Sequence, residues 1–429
     1  MRISSQQAFN LGVQGLQKNY SEVIRTHQQI STGNRILTPA DDPVASVRLM
    51  QLEQQQNLLG QYKDNMVAAN NSLAQEESTL NSVNTVMQRV RDLAVEAGNG
   101  ALSQADRQSI AAELREREDE LLGLMNSKNA RGEYLFSGFQ GKTQPFIRSE
   151  DGSYQYMGDE GQRKLQIAGS LDVPISDNGK RIFENITNAA RLEVDLAGVP
   201  DDSGLIVSGQ PIVQDEIAFG GNSGFPASGI VIKFGDPEEG ENPKSYKIYP
   251  ANIDLDGLDE DELKELELHT GTMDDDDQRH DSLVFRGMVI HFDGAPKGGE
   301  VVRIGETDEQ KQSALDTIRQ LRMALEDNPD TPEGNRIIRD SVAAAITNID
   351  HAMVSIDRTR GDIGARMNII ETALTDNEDV TLINQEVQAE LREVDYPEAL
   401  SRLSFQSLVL EAAQQSYVKI SHLNLFNKL

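Results

Sequence analysis

Asn252, Asp254 and Asp256 alternate along a stretch that ends in Gly257. Oxygens at loop positions 1, 3 and 5 with glycine at 6 are what a calcium loop supplies. The last ligand is misplaced, because Glu262 falls at position 11 and Leu263 at position 12, and no strong helix precedes the loop. The stretch therefore reads as a solvated acidic turn with weak cation attraction, as does the run Asp274 to Asp277 with Asp281. His280, Asp281 and Ser282 are adjacent, whereas a nucleophilic triad converges from separate segments on an oxyanion site that nothing here marks. The six histidines show no H-E-x-x-H or H-x-x-E-H spacing, and the chain has no G-x-x-x-x-G-K-[ST] phosphate loop. No cysteine occurs in 429 residues, which excludes disulfides, thiolate metal sites and cysteine nucleophiles. No catalytic, metal or cofactor site is expected, and the chain reads as a non-enzyme.

The elements that would position any site carry more information. The charge count, 40 Lys and Arg against 70 Asp and Glu, gives a net charge of −30 and makes nucleic acid an improbable partner. No stretch reaches the roughly 18 apolar residues of a membrane helix, so no membrane insertion is expected. The amino terminus lacks the apolar core and small-residue cleavage site of a secretory signal.

Glycine and proline divide the chain. Residues 141 to 305 hold 22 of the 34 Gly and 9 of the 14 Pro, and 32 acidic against 15 basic residues. Outside that stretch the sequence is helical with a coiled-coil period. Phe9, Val13, Leu16, Tyr20, Val23, His27 and Ile30 alternate at spacings of 4 and 3, with His27 as a packed or interface histidine. Gly33 stops that helix, and Asp42 caps a new one with Pro43 in its first position. Its seam runs from Leu52 to Ala97, interrupted by polar Gln55 and Glu76. From Pro43 to Gly98 such a helix is roughly 84 Å long at about 1.5 Å per residue. Ser103 and Asp106 form a capping-box start for a third helix. Beyond the insert, Thr331 and Pro332 open a segment whose seam runs from Ile338 to Val394, and after Pro397 a last helix places Ala399, Leu403, Gln406, Leu410, Ala413, Tyr417 and Ile420 in phase.

The expected fold class is α+β: a long antiparallel helical rod, a coiled-coil-like bundle formed by the N- and C-terminal halves, with an inserted β-rich outer domain. The expected divisions are an assembly helix at 1–42, rod at 43–140, an acidic β-rich surface domain at 141–306, rod at 307–394 and a second assembly helix at 395–429. Terminal helices this rich in Gln, Asn and Ser are marginal alone. Their apolar residues Phe9, Val13, Leu16, Tyr20, Val23, Ile30, Leu403, Leu410, Ala413, Tyr417 and Ile420 are the expected assembly interface, and contacts between different patches of successive copies would give rings or tubes.

Several motifs agree with this reading. The stretch Ile30-Ser-Thr-Gly33-Asn-Arg35-Ile36 followed by Asp41-Asp42-Pro43 resembles the amino-terminal signature of the flagellin superfamily. Asn99-Gly-Ala-Leu-Ser103-Gln-Ala-Asp106-Arg107, Gly132-Glu-Tyr134-Leu-Phe136-Ser-Gly138 and Tyr156-Met-Gly158-Asp159-Glu-Gly161-Gln-Arg163 resemble its hook-associated, hook-filament junction branch. The resemblance covers residues 1 to about 185 and 307 to 429, and residues 200 to 282 fit no part of the pattern. It implies a structural subunit of the bacterial flagellum, exported without a cleaved signal peptide, forming a ring with itself at the junction of hook and filament. Implied partners are the other hook-associated junction protein, flagellin and a cytoplasmic export chaperone that covers the carboxy-terminal helix. Filament flagellin is the nearest alternative, and an acidic calcium-dependent surface adhesin is another.

Overall fold

The computed structural model describes residues 5–200, 202–253, 260–273 and 281–426. Eight α-helices are described: α1 (Ser5–Thr32), α2 (Pro43–Ala97), α3 (Gln104–Met125), α4 (Glu216–Gly220), α5 (Glu260–Leu266), α6 (Ala314–Asp327), α7 (Pro332–Arg392) and α8 (Tyr396–Phe426). They frame a β-rich middle, as expected. The chain forms two compact units, one from Met1–Val67, Gln166–Leu171 and Ile370–Leu429, the other from Ala68–Leu165 and Asp172–Ile369. Helices α2 and α7 contribute to both.

In the first unit α1 and α8 run antiparallel, and the opening of α2 lies beside the end of α7. Asn377 donates to the Leu59 carbonyl at 3.1 Å, and Lys63 meets Glu378 at 2.9 Å. Leu52, Met66, Ile370, Asn377 and Asn384 are buried there. The two asparagines therefore occupy seam positions, where a polar side chain specifies register.

In the second unit the seam residues Leu73, Leu80, Val83, Met87, Val90 and Ala94 of α2 are buried, as are Ile349, Ala352, Ile356 and Ile363 of α7. Arg91 of α2 pairs with Asp350 of α7 at 2.6 Å. Ser103 caps α3 in a full capping box with Asp106. The buried face of α3 carries Arg107, Ile110, Leu114, Glu118, Leu121 and Met125, and packs on α6, a helix that the 4-3 pattern did not announce.

Glu76 is the one carboxylate in the buried seam of α2. Its Oε1 accepts from the amide of Asp177 at 3.1 Å, and the Asp177 carboxylate takes Arg366 at 2.8 Å and Arg181 at 2.7 Å. Burial pushes the Glu76 carboxyl well above the usual range, because ionising it would place a second negative charge beside Asp177 in a dry site.

Fourteen strands are described. Short ones are β1 (Phe146–Arg148), β2 (Tyr154–Tyr156), β3 (Lys164–Ala168), β4 (Leu171–Pro174), β5 (Ile186–Thr187) and β14 (Lys311–Gln312). Phe136, from the Tyr-x-Phe-x-Gly segment, packs edge-on against Phe183, which packs in turn against Phe146 of β1. The larger strands are β6 (Leu192–Gly198), β7 (Gly204–Val213), β8 (Ile230–Phe234), β9 (Ser245–Pro250), β10 (His269–Thr272), β11 (Asp281–Phe285), β12 (Met288–Ala295) and β13 (Val301–Glu306). They form an antiparallel five-stranded sheet, β10-β9-β8-β13-β6, and a three-stranded sheet, β11-β12-β7. One core joins the two sheets, with Ile230, Ile232, Phe234, Ile248, Ile290, Phe292 and Val302 among its buried residues. Arg286 (φ 48°) and Gly287 (φ 84°) turn β11 into β12, the double positive φ of a tight hairpin.

Candidate assembly interface

The first unit contains a clamp made by the Ile30–Ile36 and Asp41–Pro43 stretches. Gly33 ends α1 with φ 73°, and a Cβ there would come within 3.3 Å of the Tyr396 hydroxyl. The chain then pairs with the segment leaving α7. The Arg35 amide donates to the Arg392 carbonyl at 2.7 Å, and the Val394 amide donates to the Gly33 carbonyl at 2.9 Å. The Arg35 guanidinium reaches the Leu391 carbonyl at 2.9 Å, satisfying one of the orphan acceptors at the α7 terminus. Asp41 closes the following loop by accepting from the amides of Leu37 and Thr38 and from Arg25 at 2.6 Å. The Thr38 amide, with the Leu37 amide and Arg25 adding to it, holds the Asp41 carboxyl below its usual range. Asp42 caps α2 through the Ala45 amide at 3.0 Å, with Pro43 at the first helical position.

This clamp fixes how α1 and α8 leave it, so the two helices meet along their length. Phe9 and Tyr417 have ring centroids 5.3 Å apart. Gly12 makes room for that tyrosine, since a Cβ at 12 would lie 3.3 Å from its ring. Nearer the clamp the seam is polar: Thr26 donates to Gln406 at 2.8 Å, and Arg402 donates to Gln29 at 3.1 Å.

The residues expected at the interface divide by exposure. Val13, Leu16, Val23, Ile30, Leu403, Leu410, Ala413 and Tyr417 are half-buried, on the faces α1 and α8 turn to each other. Phe9 and Tyr20 are exposed, at 44% and 57%. Ile420 lies where side chains are outside the described residues. His27 is exposed on α1, and Thr26 takes the buried place. The reason is a choice of column: Leu16, Val23 and Ile30 share the inner face with Asn19 and Thr26, so Tyr20 and His27 fall outside.

A second apolar face escaped the periodicity. Leu400, Phe405, Leu408, Val409 and Val418 lie exposed on α8 away from its seam, Phe405 at 67% and Leu408 at 64%. Leu11 and Ile24 are likewise exposed on α1. Of the thirty large apolar residues exposed in the described chain, nineteen belong to the first unit, which holds under a third of the residues. The signal was in the sequence, since α8 is apolar on two faces and a helix apolar all round is a buried one. What covers each face was not.

Asp254 to Gly257, Asp274 to Asp277 and His280 lie outside the described residues. Asp281 and Ser282 open β11. Among the described residues no group of three or more His, Cys, Asp or Glu is placed to hold a metal ion, and no helix is long and apolar enough to cross a membrane.

Known proteins are similar to this chain. The bacterial flagellin N-terminal helical region matches residues 3–141, and the bacterial flagellin C-terminal helical region matches residues 346–429. Flagellar hook-associated protein 3 of Escherichia coli (strain K12) is 34% identical over 195 residues, which are 46% of this chain and 61% of that protein. The chain thus spans about three fifths of the length of that relative. Polar flagellin C of Vibrio parahaemolyticus is 21% identical over 411 residues, 92% of this chain and 90% of that protein. Among solved structures, the flagellar junction protein FlgL from Legionella pneumophila superposes with a TM-score of 0.60 at 26% identity, covering 81% of this chain and all of that one. Matched at both of its helical ends and sharing the architecture of that solved neighbour, the chain belongs to the bacterial flagellin family.

Proposed function

We propose that the chain is a structural subunit of the hook-filament junction of the bacterial flagellum, assembling through the α1–α8 pair and seating flagellin. The observation that carries this reading is that α8 is apolar on two faces and α1 covers one of them. Burying what remains exposed of the five α8 side chains, each between 36% and 67% exposed, would contribute roughly 4–8 kcal/mol at ~1.5–3 kcal/mol per fully exposed side chain. Association costs about 4–15 kcal/mol. One contact is therefore marginal, and a closed ring, in which every copy makes two, is favoured over a dimer. The partners that fit are a second copy of the chain, the other hook-associated junction protein, flagellin and, before export, a cytoplasmic chaperone over α8. The same reading places the protein outside the cell, exported without a cleaved signal peptide, with no chemistry to perform. Two relatives support it, being named as a flagellar hook-associated protein and a flagellar junction protein.

The double variant Phe405→Asp/Leu408→Asp tests it. Both positions are exposed in the single chain, so the variant keeps the helical circular dichroism and melting temperature of the wild type. It is expected to fail to sediment with isolated hooks, which the wild type does. Retention on hooks by the variant would sink the proposal. The near-full-length similarity to a polar flagellin favours filament flagellin as the second reading. Growth of long filaments from the purified chain alone would establish that reading instead.

A further inference from the structure

Two Asn-Gly pairs occur in the chain, Asn99-Gly100 and Asn178-Gly179. Asparagine before glycine is open to attack by the main chain on its own side chain. Glycine has no Cβ to hinder the approach of its nitrogen, and it adopts the backbone angles that the approach needs. By sequence the two pairs are equals, and the fold separates them.

Asn99 and Gly100 lie in the turn between α2 and α3, and both are exposed. A Cβ on Gly100 would meet nothing within 4 Å, so the turn has room for a ring to close. Asn178 is 6% exposed. Its Nδ2, the leaving group, donates to the Glu160 carbonyl at 3.1 Å. The Gly179 amide, the nucleophile, donates to the Phe136 carbonyl at 2.8 Å. A Cβ on Gly179 would lie 2.7 Å from the Phe146 ring, so this pair is also tightly enclosed. Both asparagines accept a main-chain amide on Oδ1, from Ala101 at 3.2 Å and from Arg181 at 2.9 Å. That contact stabilises charge on the oxygen as Cγ is attacked, at either site, and does not distinguish them. Breaking the two other hydrogen bonds slows reaction at Asn178 by roughly fivefold to a hundredfold, before the packing is counted.

We propose that Asn99 is a site of spontaneous modification, converted in the folded chain to aspartate and isoaspartate, while Asn178 is protected by its surroundings. The Gly100 nitrogen gives its proton to solvent base and bonds to Asn99 Cγ. The Cγ–Nδ2 bond breaks, and Nδ2 leaves as ammonia with a proton from water. Water then opens the cyclic imide by breaking one of its two ring C–N bonds. Cleavage at Cγ leaves aspartate, and cleavage at the Asn99 main-chain carbonyl leaves isoaspartate. Nothing is oxidised or reduced, and each product adds one negative charge. In isoaspartate Cβ and Cγ join the main chain. The Asn99 carbonyl, which accepts from the Leu102 amide at 3.1 Å just ahead of the Ser103 cap, then becomes a free carboxylate.

The full chain, incubated at mildly alkaline pH both folded and in urea, is followed by peptide mass spectrometry for the mass change of an amide becoming an acid. In the folded chain Asn99 is expected to convert at least about fivefold faster than Asn178. In urea the two rates are expected to converge. Gly100→Ala, which the open space admits, is expected to keep the melting temperature and to lose most of the conversion at Asn99. Conversion of Asn99 no faster than that of Asn178 in the folded chain overturns the proposal. A difference that persists in urea also overturns it, because the surrounding structure would then not be the cause. Conversion undiminished by Gly100→Ala overturns the assignment of the Gly100 nitrogen as nucleophile, and the proposal with it.

Discussion

At the scale of single residues, the polar interruptions of the seams are what the fold uses to fix position. Glu76 reads in the sequence as a defect in an apolar stripe. In the fold it is the acceptor that anchors the Asp177 amide, while Arg366, also a seam position, neutralises Asp177. Sequence pattern could locate both residues on the buried face, yet it could not pair them, because their partner lies in an irregular segment with no period. The Glu76 carboxyl titrates well above its unfolded value, so between the two values the native state holds a proton that the unfolded chain has lost. Stability from this site is therefore fullest at low pH and declines as pH rises through the native value. Glu76→Gln keeps the acceptor oxygen and cannot ionise. It is expected to raise stability at pH 8 by about 1 kcal/mol or more, with the gain vanishing near pH 4. Urea denaturation across that range measures it, and a loss of stability at pH 8 would show that the ionised form is the one the fold needs.

Helices with many repeats declared themselves in the sequence, and those with few did not. The seams of α2 and α7 hold over enough turns that one apolar phase outruns any rival, and the buried residues follow it. Along α1 two columns compete. Apolarity selects Tyr20 and His27, while packing selects Asn19 and Thr26, because Gln406 offers Thr26 a hydrogen bond and Gly12 leaves space for Tyr417. Helix α6 has only 14 residues, too short for the alternation to stand out, although Ser313 caps it and Leu315, Ile318, Leu321 and Leu325 lie buried along it. Its partner α3 owes its start to local chemistry. The Ser103 hydroxyl accepts from the Asp106 amide while Asp106 accepts from the Ser103 amide. Ser103→Ala removes one half of that box and is expected to cost ~1 kcal/mol, seen as a lowered melting temperature. Ser103→Asp, another good cap, is expected to retain most of the stability, and equal losses in the two variants would place the effect elsewhere.

For the whole molecule, the question is how an acidic β-rich stretch with no counterpart in the motif pattern can sit inside a helical chain. The topology answers it. The sandwich enters at Leu192 and leaves at Glu306, and just outside those points the Thr307 amide donates to the Arg191 carbonyl at 2.8 Å. Entry and exit are hydrogen-bonded neighbours, so within the second unit the sandwich is an insertion whose ends already meet. The boundaries drawn from motif resemblance, 200 to 282, are not those of a folding unit. They cut through a single core, taking β8, β9 and β10 from the five-stranded sheet and all of β7 with the first two residues of β11 from the other, with Ile230, Ile232, Phe234 and Ile248. Two excisions therefore have opposite outcomes. Replacing residues 192–306 by a two-glycine link removes both sheets and their shared core, at the loss of the Arg191–Glu216 ion pair outside it. That variant is expected to stay soluble, to retain the helical far-ultraviolet signal and to unfold in one cooperative step. Removing residues 200–282 leaves β6, β12 and β13 with apolar faces uncovered and edges unpaired, the condition that drives aggregation. It is expected to precipitate or to bind a hydrophobic dye. If the smaller excision yields the well-behaved protein and the larger does not, the sandwich is needed to hold the helices in place.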